Sequence, residues 1–113
     1  MATLAEAIAQ MEGFNTPGTI AQRNNNPGNL RFVGQVGATG KDSKGFAIFP
    51  SAGEGWRALE AQITLDAGRG LTLTQFMGKY APPSENDTGG YISYVSKQTG
   101  IGVNDLISGF LKG

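Results

Sequence analysis

Apolar residues recur at helical spacing at the start of the chain. Three of them fall on one face of a helix: Leu4, Ile8 and Met11. Thr3 and Glu6 have the spacing of a capping box, in which each side chain accepts a hydrogen bond from the backbone of the other residue. Gly13 favours a helix end. The pattern therefore predicts a first helix over residues 3–12.

Four further helices are predicted by the same two signals, helical spacing of apolar residues and a capping residue before them. They begin at Ser51, at Thr72 or Thr74, at Asp87 or Thr88, and at Asn104. Glu54 predicts a second capping box with Ser51. Gly68, Pro82 and Gly100 favour the ends of the first three.

The stretch between the first two helices lacks helical spacing. Residues 14–28 are rich in Asn, Gly, Thr and Pro, which favours irregular structure. Residues 29–33 and 45–49 have the pattern of short strands that pair as a small hairpin. Residues 34–44 between them are polar and rich in Gly, and we expect a flexible connection there. The expected fold class is α+β, predominantly helical.

Length and composition fit one folded domain. The 113 residues are enough for a single core, and we expect residues 1–113 to form one domain. Hydrophobic residues make up 39% of the chain and charged residues 16%, a composition that argues against disorder.

The charge balance and the missing residue types exclude several kinds of function. Nine basic and nine acidic side chains leave no net charge, which argues against nucleic-acid binding and electrostatic membrane anchoring. Without Cys or His, thiol chemistry, Ser-His-Asp chemistry and the usual zinc sites are excluded. We expect no cofactor and no metal, so any catalysis must depend on carboxylates, hydroxyls, amides, Lys or Arg.

The first residues do not have the pattern of a targeting segment. They lack a basic start followed by a long apolar run, so we expect no signal peptide. No stretch of the sequence is apolar over the length that spans a membrane, and we expect no membrane insertion.

Glu12 is a candidate acid catalyst because it ends an otherwise apolar helix. The partial negative charge of a helix C-terminus disfavours an anion, and the neighbours Met11 and Phe14 could desolvate the carboxyl group. Both effects raise the pKa, as acid catalysis on a glycosidic bond requires. Taken alone, the motif still favours a solvated Glu at a helix end.

Residues 23–32, RNNNPGNLRF, carry four Asn and two Arg side chains. Such donors and acceptors suit the hydroxyl and acetamido groups of a sugar. Composition alone favours the alternative, a polar loop that bonds its own backbone. In the same way, Trp56 is more readily explained as a core residue than as a platform for a sugar ring.

Several motifs in this order resemble the lysozyme-like superfamily of lytic transglycosylases and phage muramidases. They are MEGF at the end of the first helix, NNPGNLRF, then FAIFPS and GWRAL, and finally YAPPSENDTGGYISYV. The resemblance covers about residues 4–107. It departs from the soluble transglycosylases, whose GLMQ-like stretch is replaced by PGNLR and whose AYNAG-like sequence is absent.

The resemblance implies a helical bundle with a small β-hairpin lining a cleft, and it implies roles for particular residues. Glu12 matches the catalytic acid, and Tyr80 loosely matches a tyrosine that bonds this Glu. The candidate substrate-binding residues are Asn26, Asn29, Arg31, Phe46, Glu85 and Tyr91.

The resemblance also implies a reaction. The first hypothesis is a lytic transglycosylase that cleaves peptidoglycan between N-acetylmuramic acid and N-acetylglucosamine with one carboxylate. The second is a hydrolytic muramidase, which needs a second carboxylate such as Asp42, Glu85 or Asp87. We expect Asp42 to be too mobile and the other two to be turn and cap residues, which favours the first. The third is a virion or secretion-apparatus module that binds glycan without cleaving it.

We expect the partner to be bacterial peptidoglycan and the protein to be a monomer or part of a virion. We further expect synthesis in the cytoplasm without a signal peptide, and action on the wall after release by a holin or as a virion component.

Overall fold

The computed structural model describes residues 1–82 and 86–111. Helix accounts for 49% of the described residues and two short antiparallel strands form a sheet, which confirms a predominantly helical α+β class. The helices are α1 (Leu4–Met11), α2 (Ile20–Arg23), α3 (Ala52–Gly68), α4 (Leu73–Tyr80) and α5 (Thr88–Thr99). A 3₁₀ helix follows at Ile107–Phe110, and the strands are β1 (Gly40–Lys41) and β2 (Ala47–Ile48).

Predicted capping residues begin three of the helices. Before α1, the Thr3 N–H donates to Glu6 Oε1 at 2.8 Å and the Glu6 N–H donates to Thr3 Oγ1 at 3.1 Å. Thr72 caps α4 and forms a capping box with Gln75, and Asp87 caps α5. At both of these starts the first of the two predicted alternatives is the cap. Local hydrogen bonding therefore fixes these helix starts.

The second predicted capping box, at the start of α3, forms only in part. Ser51 Oγ accepts from the Glu54 N–H at 3.3 Å, as expected. The Glu54 side chain instead accepts from Arg57 Nη1 at 2.5 Å. A charge-assisted hydrogen bond of this kind is stronger than the neutral bond that would complete the capping box.

The last helix is shorter than predicted, because the residues around Asn104 bond to the segment before and at the start of α4. The Thr74 N–H donates to Val103 O and the Leu73 N–H donates to Asp105 O, both at 3.0 Å. The Ile107 N–H donates to Leu71 O at 3.1 Å. These hydrogen bonds use backbone N–H and C=O groups that a longer helix would need, so only the 3₁₀ helix forms.

One short helix lies where irregular structure was predicted. Thr19 caps α2, with its Oγ1 accepting from the Gln22 N–H at 3.1 Å. The same hydroxyl donates to Gly13 O at 2.8 Å. The cap therefore also ties α2 to the end of α1.

The hairpin differs from the predicted pairing of residues 29–33 with 45–49. Those segments meet in one isolated antiparallel bridge, between Arg31 and Phe46. The regular sheet pairs β1 with β2, so the connection that was predicted to be flexible contains a strand. The turn at Asp42 is the reason, because its carboxylate accepts from the Lys44 and Phe46 N–H groups, each at 2.9 Å, and folds β2 back onto β1.

The chain divides into two compact units. One contains Met1–Ala7 and Ile63–Gly113, and the other contains Ile8–Gln62. The boundaries between the units fall within α1 and α3.

The first unit, Met1–Ala7 with Ile63–Gly113, has a buried apolar core and, beside it, the buried carboxylate of Asp66. Its largest fully buried apolar side chains are Leu73, Phe76, Met77, Val95, Ile101 and Ile107. Asp66 of α3 is only 2% exposed and accepts from Lys79 Nζ of α4 at 2.5 Å and from Arg69 Nη1 at 3.1 Å. A buried charge needs such partners, so this cluster joins α3 to α4.

The second unit, Ile8–Gln62, depends on a close approach between α3 and the asparagine-rich loop. A Cβ atom placed on Gly55 would lie 1.9 Å from the backbone oxygen of Asn25 and 2.8 Å from Cδ of Pro27. No backbone tolerates the first of these distances. Gly55 is therefore required for α3 to pack against this loop.

We predict that Gly55→Ala lowers the free energy of unfolding by about 1–3 kcal/mol or more, since 1–3 kcal/mol is the usual cost of overpacking. Gly53→Ala is the matched control in the same helix, because a Cβ atom on Gly53 would meet only Ser51 Oγ, at an ordinary contact distance of 3.9 Å. An exposed helical Gly→Ala change should stabilise by roughly 0.5–1 kcal/mol. Urea unfolding followed by circular dichroism measures both. Equal effects of the two substitutions would contradict the close packing at Gly55.

Candidate active site

Glu12 lies where α1 ends and the chain reverses. The Glu12 N–H donates to Ile8 O at 2.9 Å, which continues the helical bonding by one residue. Gly13 then takes a φ of 75°, and the Phe14 N–H donates back to Ala9 O at 3.0 Å. This is the Schellman type of helix end, in which Gly supplies the left-handed residue. The helix end thus fixes the backbone that carries the Glu12 carboxyl group.

The Glu12 side chain is partly buried, and burial raises the pKa of its carboxyl group above the ordinary value for Glu. A hydrogen bond from the Asn29 side chain acts in the opposite direction and lowers the pKa by less. Nearby, the Phe14 ring meets the half-buried Trp56 edge-on, with centroids 5.6 Å apart. Desolvation therefore decides the direction of the shift, as acid catalysis requires.

Asn26 organises the loop that carries Asn29. Its side chain is fully buried, and Nδ2 donates to Leu30 O and to Ala47 O, each at 3.0 Å. Its Oδ1 accepts from the Leu30 N–H at 2.9 Å. With these bonds and no exposure, Asn26 cannot serve as a substrate-binding residue, and that prediction is wrong. Its bonds add to the backbone bond that the Ala47 N–H donates to Leu30 O at 2.9 Å.

The two preceding asparagines also bond to the hairpin. Asn24 Nδ2 donates to Asp42 Oδ2 at 2.9 Å, and Asn25 Nδ2 donates to Phe49 O at 3.1 Å. Asn25 itself has a φ of 53°, in the left-handed region that Asn tolerates better than most residues. The three consecutive asparagines thus support the fold, as composition alone favoured.

Asn29 is the member of this group that contacts the candidate acid. It has a φ of 47°, and its N–H donates to Asn26 O at 2.9 Å. Its side chain bonds Glu12, while its Oδ1 is buried without a hydrogen-bond donor among the residues that the structure describes. Buried polar atoms without a partner are rare in folded proteins.

Asp42 is held firmly, which corrects the expectation that its loop is too mobile. The side chain of Asn24 and the backbone N–H groups of residues 44 and 46 bond its carboxylate. These bonds, with that from Asn24 the largest, lower the pKa of Asp42. Glu12 and Asp42 therefore have pKa values that their surroundings shift in opposite directions, a pattern that occurs in acid–base sites.

Arg31 and Phe46 lie side by side across the isolated bridge. The guanidinium carbon of Arg31 is 4.5 Å from the centre of the Phe46 ring, and Nη1 donates to Lys44 O at 2.8 Å. The Arg31 side chain is exposed and Phe46 is half-buried. The guanidinium group therefore lies over one face of the Phe46 ring as a cation–π pair.

The remaining candidates do not belong to the unit that contains Glu12. Tyr80 ends α4, where its ring centroid lies 5.4 Å from that of Phe76. Tyr91 is half-buried in α5. Glu85 lies outside the described residues, and Asp87 is a helix cap, as expected. The structure thus brings Glu12 together with Asn29 and Arg31 together with Phe46, and the roles of the tyrosines stay predictions.

Sequence reasoning missed the bond between Asn24 and Asp42. The sequence does contain a signal for further hydrogen bonding, because a single turn does not need three consecutive asparagines. The sequence does not show that these two residues, 18 positions apart, pair with each other.

In the described ranges, no group of His, Cys, Asp or Glu could hold a metal ion. No helix among the described residues has the length and apolar character needed to cross a membrane.

Comparisons with models of protein families, with curated proteins and with solved structures found no match to this chain.

We predict that Glu12→Gln is at least as stable as the wild type at pH 7. A carboxyl group whose pKa is raised by folding stabilises the native state below its unfolded pKa and loses that contribution as pH rises through its folded pKa. Gln carries no charge to desolvate and can still accept a bond from Asn29. The advantage of Glu12→Gln should shrink to nothing below about pH 4, where the unfolded Glu is also protonated.

Urea unfolding at several pH values measures this difference. Glu60→Gln, the same change at an exposed position of α3, is the control. A Glu12→Gln variant that is less stable than the wild type at pH 7 would show that the carboxylate is not disfavoured by burial.

Proposed function

We propose that this protein cleaves the glycan strands of bacterial peptidoglycan as a lytic transglycosylase, with Glu12 as its acid. The observation that carries the proposal is the partly buried Glu12 carboxyl group, whose pKa is raised by burial at a fixed helix end. A protonated carboxyl group near neutral pH is the central requirement for breaking a glycosidic bond by acid catalysis.

The proposed reaction needs a single carboxyl group. Glu12 donates its proton to the glycosidic oxygen as the bond from C1 of N-acetylmuramic acid to that oxygen breaks. The 6-hydroxyl of the same sugar then bonds to C1, and its proton returns to the Glu12 carboxylate. The product carries a 1,6-anhydro ring and no water is consumed, so Glu12 ends in the state in which it began.

The hydrogen bonds of Asp42 favour this route over hydrolysis. Both of its oxygens already accept bonds, Oδ1 from two backbone N–H groups and Oδ2 from Asn24. A carboxylate held in this way is a weak base and a poor nucleophile, because attack or proton uptake would break bonds that support the hairpin. Asp42 therefore supports the fold in this proposal.

A hydrolytic muramidase is the second candidate, and one observation favours it. Asp42 is fixed in place, and its pKa is lowered whereas the pKa of Glu12 is raised. Two carboxyl groups in opposite states are what a lysozyme-type hydrolase uses. The products distinguish the two reactions.

In either reaction, Arg31 and Phe46 are the best candidates for contact with the glycan outside the reacting bond. The Arg31 guanidinium lies over one face of the half-buried Phe46 ring, and Arg31 can bond acetamido or carboxylate oxygens. Wall penetration or lysis by a phage is the setting that fits such an activity.

Digestion of purified peptidoglycan followed by mass spectrometry of the soluble fragments tests the proposal. We expect muramic ends that are lighter by one water and that borohydride does not reduce. Glu12→Gln should release almost no fragments while keeping its helical circular dichroism, because general acid catalysis contributes roughly 10²–10⁴-fold.

Glu60→Gln serves as the matched control and should release fragments at the wild-type rate. Reducible muramic ends without anhydro products would replace the transglycosylase with the hydrolase. A folded wild-type protein that binds peptidoglycan and releases nothing would contradict both and favour a glycan-binding module.

A further inference from the structure

The hairpin of the second unit, residues 31–46, carries a positive charge that the neutral balance of the whole chain conceals. It contains three basic side chains and one acidic side chain, a net charge of +2. The basic side chains are all exposed: Arg31, Lys41 and Lys44. The acidic side chain, Asp42, accepts hydrogen bonds from Asn24 and from two backbone N–H groups. The carboxylate is thus occupied within the fold, whereas the cations lie at the surface.

Two valines of the same hairpin are held in water by an ordered turn. Val33 is 78% exposed and Val36 is 92% exposed. Between them, Gln35 Nε2 donates to Arg31 O, and Gln35 Oε1 accepts from the Val33 N–H, each at 2.9 Å. The Ala38 N–H donates to Gln35 O at 3.2 Å. These bonds fix the backbone that carries both valines, and exposed apolar side chains on a fixed segment favour a partner that covers them.

The first of these valines lies at the same end of the hairpin as the turn that carries a lysine. The Phe32 N–H donates to Gly45 O at 2.9 Å. Beside this bond, Arg31 Nη1 donates to Lys44 O at 2.8 Å. Val33 follows Phe32 directly, so this end of the hairpin combines an apolar side chain with exposed cations.

The acidic side chain of Glu54 also lies against this hairpin. A Cβ atom placed on Gly37 would lie 2.7 Å from Glu54 Oε2. Glu54 is already paired, because its Oε1 lies 2.5 Å from Nη1 of Arg57 in the same helix. The charges of this pair cancel, so the surface around the hairpin stays positive.

We propose that this hairpin binds the surface of a membrane that contains anionic phospholipids. In this contact the lysines lie against phosphate groups and the valines lie between the headgroups. The cations match the negative surface potential of such a membrane, and the valines favour an interface with apolar character over a dissolved polyanion. A protein partner matches less well, because a stable protein interface takes about 800 Å² from each side, far more than two valines supply. The contact is peripheral, and it depends neither on Glu12 nor on glycan cleavage.

Flotation of the full chain with lipid vesicles tests this proposal. One set of vesicles consists of phosphatidylcholine alone, and the other contains phosphatidylglycerol as well. We expect binding to the anionic vesicles only, and weaker binding in about 1 M salt, where the Debye length falls to about 3 Å. Equal binding to both sets of vesicles, or binding to neither, would overturn the proposal.

The lysines are tested by the double variant Lys41→Gln with Lys44→Gln. Each lysine near an anionic surface contributes roughly fivefold to the binding constant, so we expect a loss of about that size for each substitution. Lys97→Gln is the matched control, the same change at an exposed position of the other unit. Equal effects of Lys97→Gln and of either hairpin substitution would overturn the role of the hairpin.

The valines distinguish a lipid surface from other anionic partners. The double variant Val33→Ser with Val36→Ser should lower binding to the anionic vesicles by about tenfold, because two apolar side chains no longer leave water. Val103→Ser, at a valine that is 41% exposed in the other unit, should leave binding unchanged. If the valine variant binds as the wild type does, the partner is a soluble polyanion such as a teichoic acid, and the lipid proposal is wrong.

Methyl resonances locate the contact on the folded protein and do not depend on a variant. In bicelles that contain phosphatidylglycerol and a lipid with a nitroxide on its headgroup, the methyl signals of Val33 and Val36 should broaden more than those of Val103. Equal broadening of all three valines would contradict a contact through the hairpin. Neither experiment requires turnover, so the proposed function is judged separately by the peptidoglycan digest.

Discussion

The three hydrogen bonds of the buried Asn26 side chain are the constraint on which the rest of the second unit depends. They join the backbone of residues 30 and 47, where too few residues pair to form a regular sheet. An unpaired buried polar group costs about 1–3 kcal/mol, so the bonds of Asn26 stabilise this loop. The bridge between Arg31 and Phe46 and the left-handed turn at Asn29 both lie beside these bonds.

The candidate acid depends on this constraint from one side and on helix α1 from the other. The helix end at Gly13 fixes the backbone of Glu12, and the Asn26-supported turn places the Asn29 amide against its carboxyl group. Burial favours the protonated carboxyl, whereas the amide favours the ionised one. An acid that must release its proton and then recover it benefits from both influences, since neither state is then too stable.

Features set by neighbours in sequence were predictable, and features set by distant partners were not. The caps at Thr3, Thr72 and Asp87 follow from bonds within three residues. Strand β1 was missed because it forms only when Asp42 closes its turn and Asn24 binds it from 18 residues away. Asn26 was a candidate for substrate binding because a resemblance between motifs does not distinguish a buried asparagine from an exposed one. Glu12 could be singled out, but its contact with Asn29 depends on the fold.

The central claim is that Glu12 acts by holding a proton that ordinary glutamates have lost. The most direct measurement compares two midpoints, the pKa of Glu12 from its Cδ resonance and the alkaline limb of kcat/KM for peptidoglycan cleavage. The account predicts that the two coincide, above the ordinary pKa of Glu. A rate that stays constant through the Glu12 midpoint, or an alkaline limb that persists in residual activity after Glu12→Gln, would contradict it.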